Sequence, residues 1–238
     1  MIQGPQKTEI QNLFNGIAPG YDLANDLITF GMARSWRKKL VRWSGVQKGD
    51  KVLDCATGTG DLAFDFKRAV GDEGQVIGTD FSQNMLDQAP DKCKSLNLDV
   101  LFEWADVTQL KYPDGEFDCT SIAYGIRNVE DPVKALSEMA RVTKPGGVVM
   151  VIETGSSQWP MMQWGFDFYF KNIVPLLGGV VTGDFQAYRY LNKSSKNFPC
   201  REEFLSLMTR AQCFSRCEYR TLMGGASFLY KGHVHKPD

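Results

Sequence analysis

Histidine is nearly missing from this chain: only His233 and His235 occur, both within its last few residues. Imidazole is the usual general base near neutral pH, so proton transfer is expected from other side chains. An excess of one charge is missing as well. Lys+Arg 27 against Asp+Glu 28 leaves a formal net charge of -1, without the basic footprint that holds a phosphate backbone, and no nucleic-acid partner is expected. The six cysteines, Cys55, Cys93, Cys119, Cys200, Cys213 and Cys217, include no C-x-x-C pair. That argues against a disulfide framework or a zinc site and for free thiols in a reducing compartment; no metal is expected. Met1 to Glu9 is polar and carries no apolar signal region, so the expected location is the cytoplasm. Low-complexity tracts and internal repeats are absent, and 43% hydrophobic with 23% charged residues is an ordinary globular composition. A length of 238 residues is enough for one α/β domain with insertions.

What is present is a regular alternation of strands and helices. Helices from Leu13 to Trp43, broken at Pro19-Gly20 and Gly31, form an N-terminal cover over residues 1–47, with a basic turn at Arg34 to Lys39. The core, 48–155, opens with a strand from Lys51 to Cys55, a loop Thr57-Gly58-Thr59-Gly60 and a helix from Asp61 to about Val70. Strands follow at Gln75 to Thr79, Val100 to Trp104, Phe117 to Ala123 and Val148 to Ile152; Ser82 caps one helix, and a helix from Pro132 to Val142 stops at Lys144-Pro145-Gly146-Gly147. Residues 156–198 break the alternation as a helical insertion. Residues 199–238 read as a helix from Glu202 to Thr209 and a hairpin of Arg216 to Leu222 with Ser227 to Lys231. This spacing predicts βαβ units in a Rossmann-like α/β fold: a mostly parallel seven-stranded sheet, helices on both faces and a C-terminal antiparallel hairpin. Ligands in such sheets sit at the carboxyl ends of the strands. Asp54, Asp80, Asp106 and Tyr124 to Asn128 share that rim.

Gly58-x-Gly60-x-x-Ala63 between a strand and a helix also fits a dinucleotide fingerprint. The charges decide between ligands. A pyrophosphate there would face Asp61 and Asp54, which oppose a dianion. S-adenosylmethionine reverses the preference, because its ammonium suits Asp54 and its carboxylate suits the loop N–H groups. Asp80, about 20 residues past the loop, is placed to accept from ribose hydroxyls, and Asp106 falls where an adenine amino group would lie. Asp61 reads equally as a helix N-terminal charge.

The run Lys-Val-Leu-Asp-Cys-Ala-Thr-Gly-Thr-Gly-Asp-Leu-Ala at 51–63 resembles the first motif of class I methyltransferases. Ala18-Pro19-x-Tyr21-Asp22-x-x-Asn25, Trp36-Arg37, Ile126-Arg127-Asn128-Val129, Arg141-Val142, Glu153, Tyr188-Arg189-Tyr190-Leu191 and Phe198-Pro199 resemble the C-methyltransferases of menaquinone and ubiquinone biosynthesis, from Leu13 to Gly232. The resemblance implies a cofactor site at Asp54, Gly58, Thr59, Gly60, Asp80, Phe81, Asp106, Val107 and Ala123. It places the chemistry at Arg127, Asn128 and Tyr21. Ala33 stands where that family usually has His, Ala24 where it has Met, Ala123 where it has a small hydroxyl residue and Gly155 where it has Ser.

The implied reaction is C-methylation of a prenylated quinol, demethylmenaquinol in the first place. A ubiquinone-pathway benzoquinol, another small molecule, or a cofactor-binding assembly subunit without turnover are the alternatives. A carbon nucleophile must be electron-rich, so a quinol hydroxyl has to lose its proton; Tyr21, Asp22, Tyr124, Arg127, Asn128, Asp184 and Tyr188 are the candidates at the rim, with Arg127 suited to hold a phenolate. Trp159 to Val181 is rich in apolar residues but interrupted by Asp167, Lys171 and Pro175, too broken for a membrane span. It reads as a cover for a prenyl tail or a face resting on the inner side of the membrane, or else as a packed insertion or homodimer contact.

Overall fold

The computed structural model describes residues 5–235; Met1 to Gly4 of the polar N-terminal stretch and residues 236–238 lie outside the described residues. Seven strands, β1 (Lys51–Cys55), β2 (Gln75–Asp80), β3 (Leu101–Trp104), β4 (Phe117–Ala123), β5 (Thr143–Thr154), β6 (Phe214–Leu222) and β7 (Ser227–Val234), form one sheet in the order β3-β2-β1-β4-β5-β7-β6. The pairings from β3 across to β5 are parallel, and β7 runs against both its neighbours. The expected sheet and closing hairpin are both present. Because helices cover both faces, the central strands are buried on both sides and read as continuous apolar runs.

The helices are α1 (Lys7–Ile17), α2 (Tyr21–Thr29), α3 (Met32–Ser44), α4 (Asp61–Val70), α5 (Gln83–Leu86), α6 (Ala89–Ser95), α7 (Pro132–Val142), α8 (Pro160–Phe168), α9 (Val174–Thr182), α10 (Phe185–Asn197) and α11 (Glu202–Arg210). Leu53, Ile122, Val149 and Val151 pack one sheet face against Leu136 and Met139 of α7 and Phe204 and Met208 of α11. Val52, Val76, Met150 and Ile152 pack the other against Leu40 of α3 and Leu62 and Phe66 of α4. Side-chain oxygens fix two helix starts: Asp131 accepts from Lys134 N at 3.0 Å, and Ser82 from Met85 N at 3.3 Å.

Several element ends differ from the expected ones: β6 starts at Phe214 and not at Arg216, β7 runs on to Val234, and the starts of β5 and of the first helix move further. β5 begins at Thr143, not at Val148: Thr143 pairs with Phe117 and continuous pairing with β4 resumes at Val148, while Lys144-Pro145-Gly146-Gly147 between them has no partner in β4 and turns through a positive φ at Gly146 (+79°). Helix formation at the N-terminus starts at Lys7, ahead of Leu13. The insertion comprises α8, a π-helical turn at Tyr169–Ile173, α9 and α10. Ile17, Ala18 and Ala24 of the N-terminal cover pack with Val174, Ala187 and Tyr188 of the insertion, joining the two over the carboxyl ends of the strands. No helix among the described residues is long and apolar enough to cross a membrane.

Candidate functional site

The chain leaves β1 through Ala56 (φ +49°), Gly58 (φ +58°) and Gly60 (φ +91°) and turns directly into α4. Positive φ costs glycine little and leaves its backbone bare for a ligand. At the end of β2, Asp80 Oδ2 accepts from Gly58 N and Oδ1 from Ser82 N, both at 2.8 Å. Burial pushes this carboxyl above its ordinary value, against the pull of those backbone N–H groups. Each oxygen still has a lone pair for a further donor. Beyond β3, Asp106 accepts from Thr108 N at 2.8 Å, Thr108 Oγ1 at 2.7 Å and Lys7 Nζ at 2.5 Å. Burial raises its carboxyl, but Lys7 and Thr108 together hold it below the usual range.

These groups wall a cleft of about 820 Å³, counted to its open mouth. It brings together Tyr21, Gly58, Asp80, Phe81, Asp106, Val107, Ala123 and Asn128 of the expected site. Four other expected residues do not line it. Asp54 is fully buried beneath the loop, enclosed by Thr57 Oγ1 at 2.7 Å and Ser121 Oγ at 2.6 Å, and burial pushes its carboxyl up to about 7. Any attraction it exerts on an ammonium acts through the field and not by contact. Thr59 is buried and donates to Asp22 at 2.6 Å. A Cβ at Gly60 would lie 2.8 Å from Phe64 and 3.0 Å from Phe102, so this glycine serves the packing of α4 on the sheet. Arg127 belongs to a second cavity. Lys7, Ile10 and Phe14 of α1 wall the cleft unforeseen; the spacing Ile10, Leu13, Phe14, Ile17 was the available signal of an amphipathic helix starting that early.

The second cavity, about 1310 Å³, shares Tyr21 and Tyr124 with the first. Its lining is mainly apolar, from Ile28, Trp36, Phe166, Phe170, Val174 and Leu191, and Arg127 reaches into it. Ala33 lines it too and contributes only a methyl group. Arg127 stands on a tight turn, Ile126–Asn128, and donates through Nη1 to Tyr124 O at 2.9 Å and to Glu153 Oε1. The pair is desolvated: side-chain exposure is 8% for Arg127 and 1% for Glu153. Tyr124 sits at φ +55°, a strained conformation for a non-glycine residue, at the junction of the cavities. Burial raises the Tyr21 and Tyr124 hydroxyls, which stay protonated near neutrality.

Tyr188 lines the second cavity, its hydroxyl buried without a hydrogen-bond partner among the described residues, whereas the acidic candidates have other duties. Asp184 caps α10 by accepting from Gln186 N and Ala187 N at 2.9 Å. Asp22 accepts from Lys92 at 2.6 Å, and Lys92 also bridges to Asp61 at 2.8 Å, which Arg37 meets at 2.7 Å. Burial raises Asp61, but these two cations outweigh it and hold the carboxyl below its ordinary range. His233 pairs with Glu218 at 3.2 Å in the β6–β7 hairpin, away from both cavities. Gly155 has no room for a side chain, because a Cβ there would lie 2.2 Å from the Phe228 ring.

The chain is 55% identical over 230 residues to the ubiquinone/menaquinone biosynthesis C-methyltransferase UbiE of Bdellovibrio bacteriovorus, covering 97% of each chain. It is 40% identical to the UbiE of Teredinibacter turnerae, over 97% of this chain and 94% of that one. Among solved structures it resembles a SAM-dependent methyltransferase from Aquifex aeolicus, with a TM-score of 0.58 and 19% identity over 83% of this chain and 89% of that one. It also resembles phosphoethanolamine N-methyltransferase 2 of Haemonchus contortus in complex with S-adenosyl-L-methionine, with a TM-score of 0.60 and 14% identity over 85% of this chain and 53% of that one. At those identities the structures speak for the fold alone. The family model of the ubiE/COQ5 methyltransferases matches residues 2–233, and the chain belongs to that family.

Proposed function

We propose that this methyltransferase transfers a methyl group from S-adenosylmethionine to a ring carbon of a prenylated quinol, converting demethylmenaquinol to menaquinol. The observation that carries this reading is the meeting of two unlike cavities at Tyr21 and Tyr124, one lined by Asp80 and Asp106, the other mainly apolar and lined by two arginines, Arg127 paired with Glu153 and Arg37 paired with Asp61. The first fits the cofactor: glycine backbone for its charged end, Asp80 with free lone pairs for ribose hydroxyls, and Asp106 beyond it. When bound, S-adenosylmethionine supplies the methyl group on a sulfonium. Tyr21 and Tyr124 wall the junction and limit water there, holding ring and donor in line. Arg127 offers a fixed positive charge to the phenolate that develops on the ring, in a site of low dielectric. Leu191→Trp, which fills the second cavity, should raise the quinol KM about tenfold and leave cofactor Kd unchanged. Equal quinol KM values would move the acceptor elsewhere.

The partner surface follows from the same cavity. Phe30, Trp159 and Trp164, at 74%, 71% and 74% exposure, stand out on α8 and the α2–α3 corner with Met161, Phe168, Leu176 and Val180. Exposed tryptophans around an apolar opening suit the interface of a bilayer, from which a prenylated ring could enter past Phe30 and Met223. Co-sedimentation with anionic lipid vesicles should fall several-fold for a Trp159→Ser/Trp164→Ser variant; unchanged sedimentation together with a loss of dimer would reassign the face to a second copy.

A further inference from the structure

We infer that Glu153, reached from the second cavity through the hydroxyls of Ser195 and Thr154, takes up the quinol proton during methyl transfer and returns it afterwards. The inference rests on reading that cavity as the quinol site.

Glu153 closes β5 with its carboxylate beneath the cavity floor. Its Oε1 accepts from Thr154 N at 2.7 Å, from Thr154 Oγ1 at 3.1 Å and from Arg127 Nη1. A carboxylate only accepts, so the Thr154 hydroxyl must donate to it. Ser195 Oγ lies 2.6 Å from Thr154 Oγ1 and therefore donates to Thr154. The direction of both bonds is fixed, and the open lone pairs of Ser195 mark the head of the chain. Ser195 and Thr154 both line the second cavity, so a quinol hydroxyl donating to Ser195 completes an unbroken path to the carboxylate. No histidine lines that cavity.

The Arg127–Glu153 pair is not built as a purely structural clamp. Glu153 Oε2 and Arg127 Nε are buried without hydrogen-bond partners among the described residues, whereas a bidentate pair would have used both. Unpartnered buried groups are costly and are expected where a proton or charge has to move.

The step balances. The quinol O–H bond breaks and its proton passes to Ser195 Oγ, the Ser195 proton to Thr154 Oγ1, and the Thr154 proton to Glu153 Oε1. The electron pair stays on the ring oxygen as phenolate. Glu153 becomes neutral as the phenolate becomes negative, so Arg127 exchanges one anionic partner for another at this step; methyl transfer then turns the phenolate into a neutral ring carbonyl, and loss of the ring hydrogen restores the anion beside Arg127. Once the ring carbon has gained its methyl group it loses its hydrogen to water as a proton. The Glu153 proton then returns along the same hydroxyls to the ring oxygen. The titratable groups facing Glu153 are Arg127, Tyr124 at the end of β4 and Tyr230 of β7.

Ser195→Ala, Thr154→Val and Thr154→Ser test the path, read by kcat, quinol KM, cofactor Kd and a pH profile. Ser195→Ala and Thr154→Val should each lower kcat about tenfold or more, with KM and Kd within about twofold of wild type. Their rates should climb with pH as hydroxide takes over, where the wild-type rate is level, and Thr154→Ser should restore both rate and profile. Rates within about twofold of wild type, or a reduced rate with the wild-type pH profile, would overturn the relay. If Thr154→Val fails to fold, Ser195→Ala on half-buried α10 decides alone. Leu191→Trp separates the two readings. An unchanged quinol KM there sinks the cavity assignment, whereas a raised KM beside a fully active Ser195→Ala sinks only the relay.

Discussion

Asp54 is a carboxyl that water does not reach, held by two hydroxyls under the cofactor loop. Burial lifts it from its ordinary value to about 7. Between those pH values the folded chain keeps a proton that the unfolded chain has released, so this residue's contribution to stability is complete at low pH and is lost as pH rises through about 7. Asp54→Asn removes the titration. Its stability relative to wild type should climb with pH across that window, by up to about 1.4 kcal/mol per unit, and level off above it; urea midpoints that run parallel from pH to pH would refute the assignment. Asp80 has a different position, since its oxygens order Gly58 and Ser82 and still face the cleft. Asp80→Ala should weaken cofactor binding by about 1–3 kcal/mol in calorimetry, and an unaltered Kd would remove it from the ribose. Arg127→Ala should reduce turnover far more than cofactor affinity, and it also strands the Glu153 charge, a loss of about 3–5 kcal/mol in stability. Adding Glu153→Gln should return the stability and not the rate. Recovery of both would make Arg127 structural.

Single elements decide how open the cofactor cleft is. Helix α1 lies across it, with Lys7 on Asp106 and Gln11 Nε2 donating to Phe81 O at 3.1 Å, while Lys92 and Arg37 tie α2 and α3 to the start of α4. These contacts make α1 the element expected to gate cofactor exchange. Lys7→Ala should speed both association and release about severalfold in stopped-flow measurements with little change in Kd, and unchanged rates would show that α1 does not gate the cleft. The same helix shows where sequence reading stopped short. Strands β1, β2 and β4 and helices α4 and α7 were legible because apolar period, caps and turn residues agreed. The first turns of α1 are polar apart from Ile10, so the period was recognised only from Leu13. That Asp80 and Asp106 would line one cleft was legible from strand ends and spacing, and Tyr21 was singled out by the family resemblance. The burial of Asp54 was not legible, because position on a strand says which face a side chain takes but not that Thr57 and Ser121 will close over it. Lys144 to Gly147 carries turn chemistry and is unpaired with β4, pairing being limited to Thr143 on one side and Val148 onward on the other.

At the scale of the whole molecule, the paired cavities restrict the oxidation state of the acceptor. The second cavity, read as the acceptor site, presents the ring with mainly apolar walls and the guanidinium groups of Arg127 and Arg37, an environment that stabilises negative charge on a ring oxygen. A quinone ring is an electrophile and cannot displace a methyl group from a sulfonium. Its reduced quinol carries two donor oxygens, and loss of one hydroxyl proton places electron density on the open ring carbon. The hydroxyl path from Ser195 to Glu153 can remove that proton but cannot reduce a carbonyl, so a quinone reductase activity must precede this enzyme. Methylation of demethylmenaquinone should therefore proceed after reduction with dithionite or borohydride under anaerobic conditions and stop when the substrate is kept oxidised. The new methyl group should appear on carbon in the NMR spectrum of the product, with both oxygens unmodified. Equal rates from oxidised and reduced substrate would mean that the ring is not the nucleophile, and a product methylated on oxygen would mean that the phenolate itself attacks. Either result would displace the carbon-transfer mechanism and leave the cofactor site at Asp80 and Asp106 as it stands.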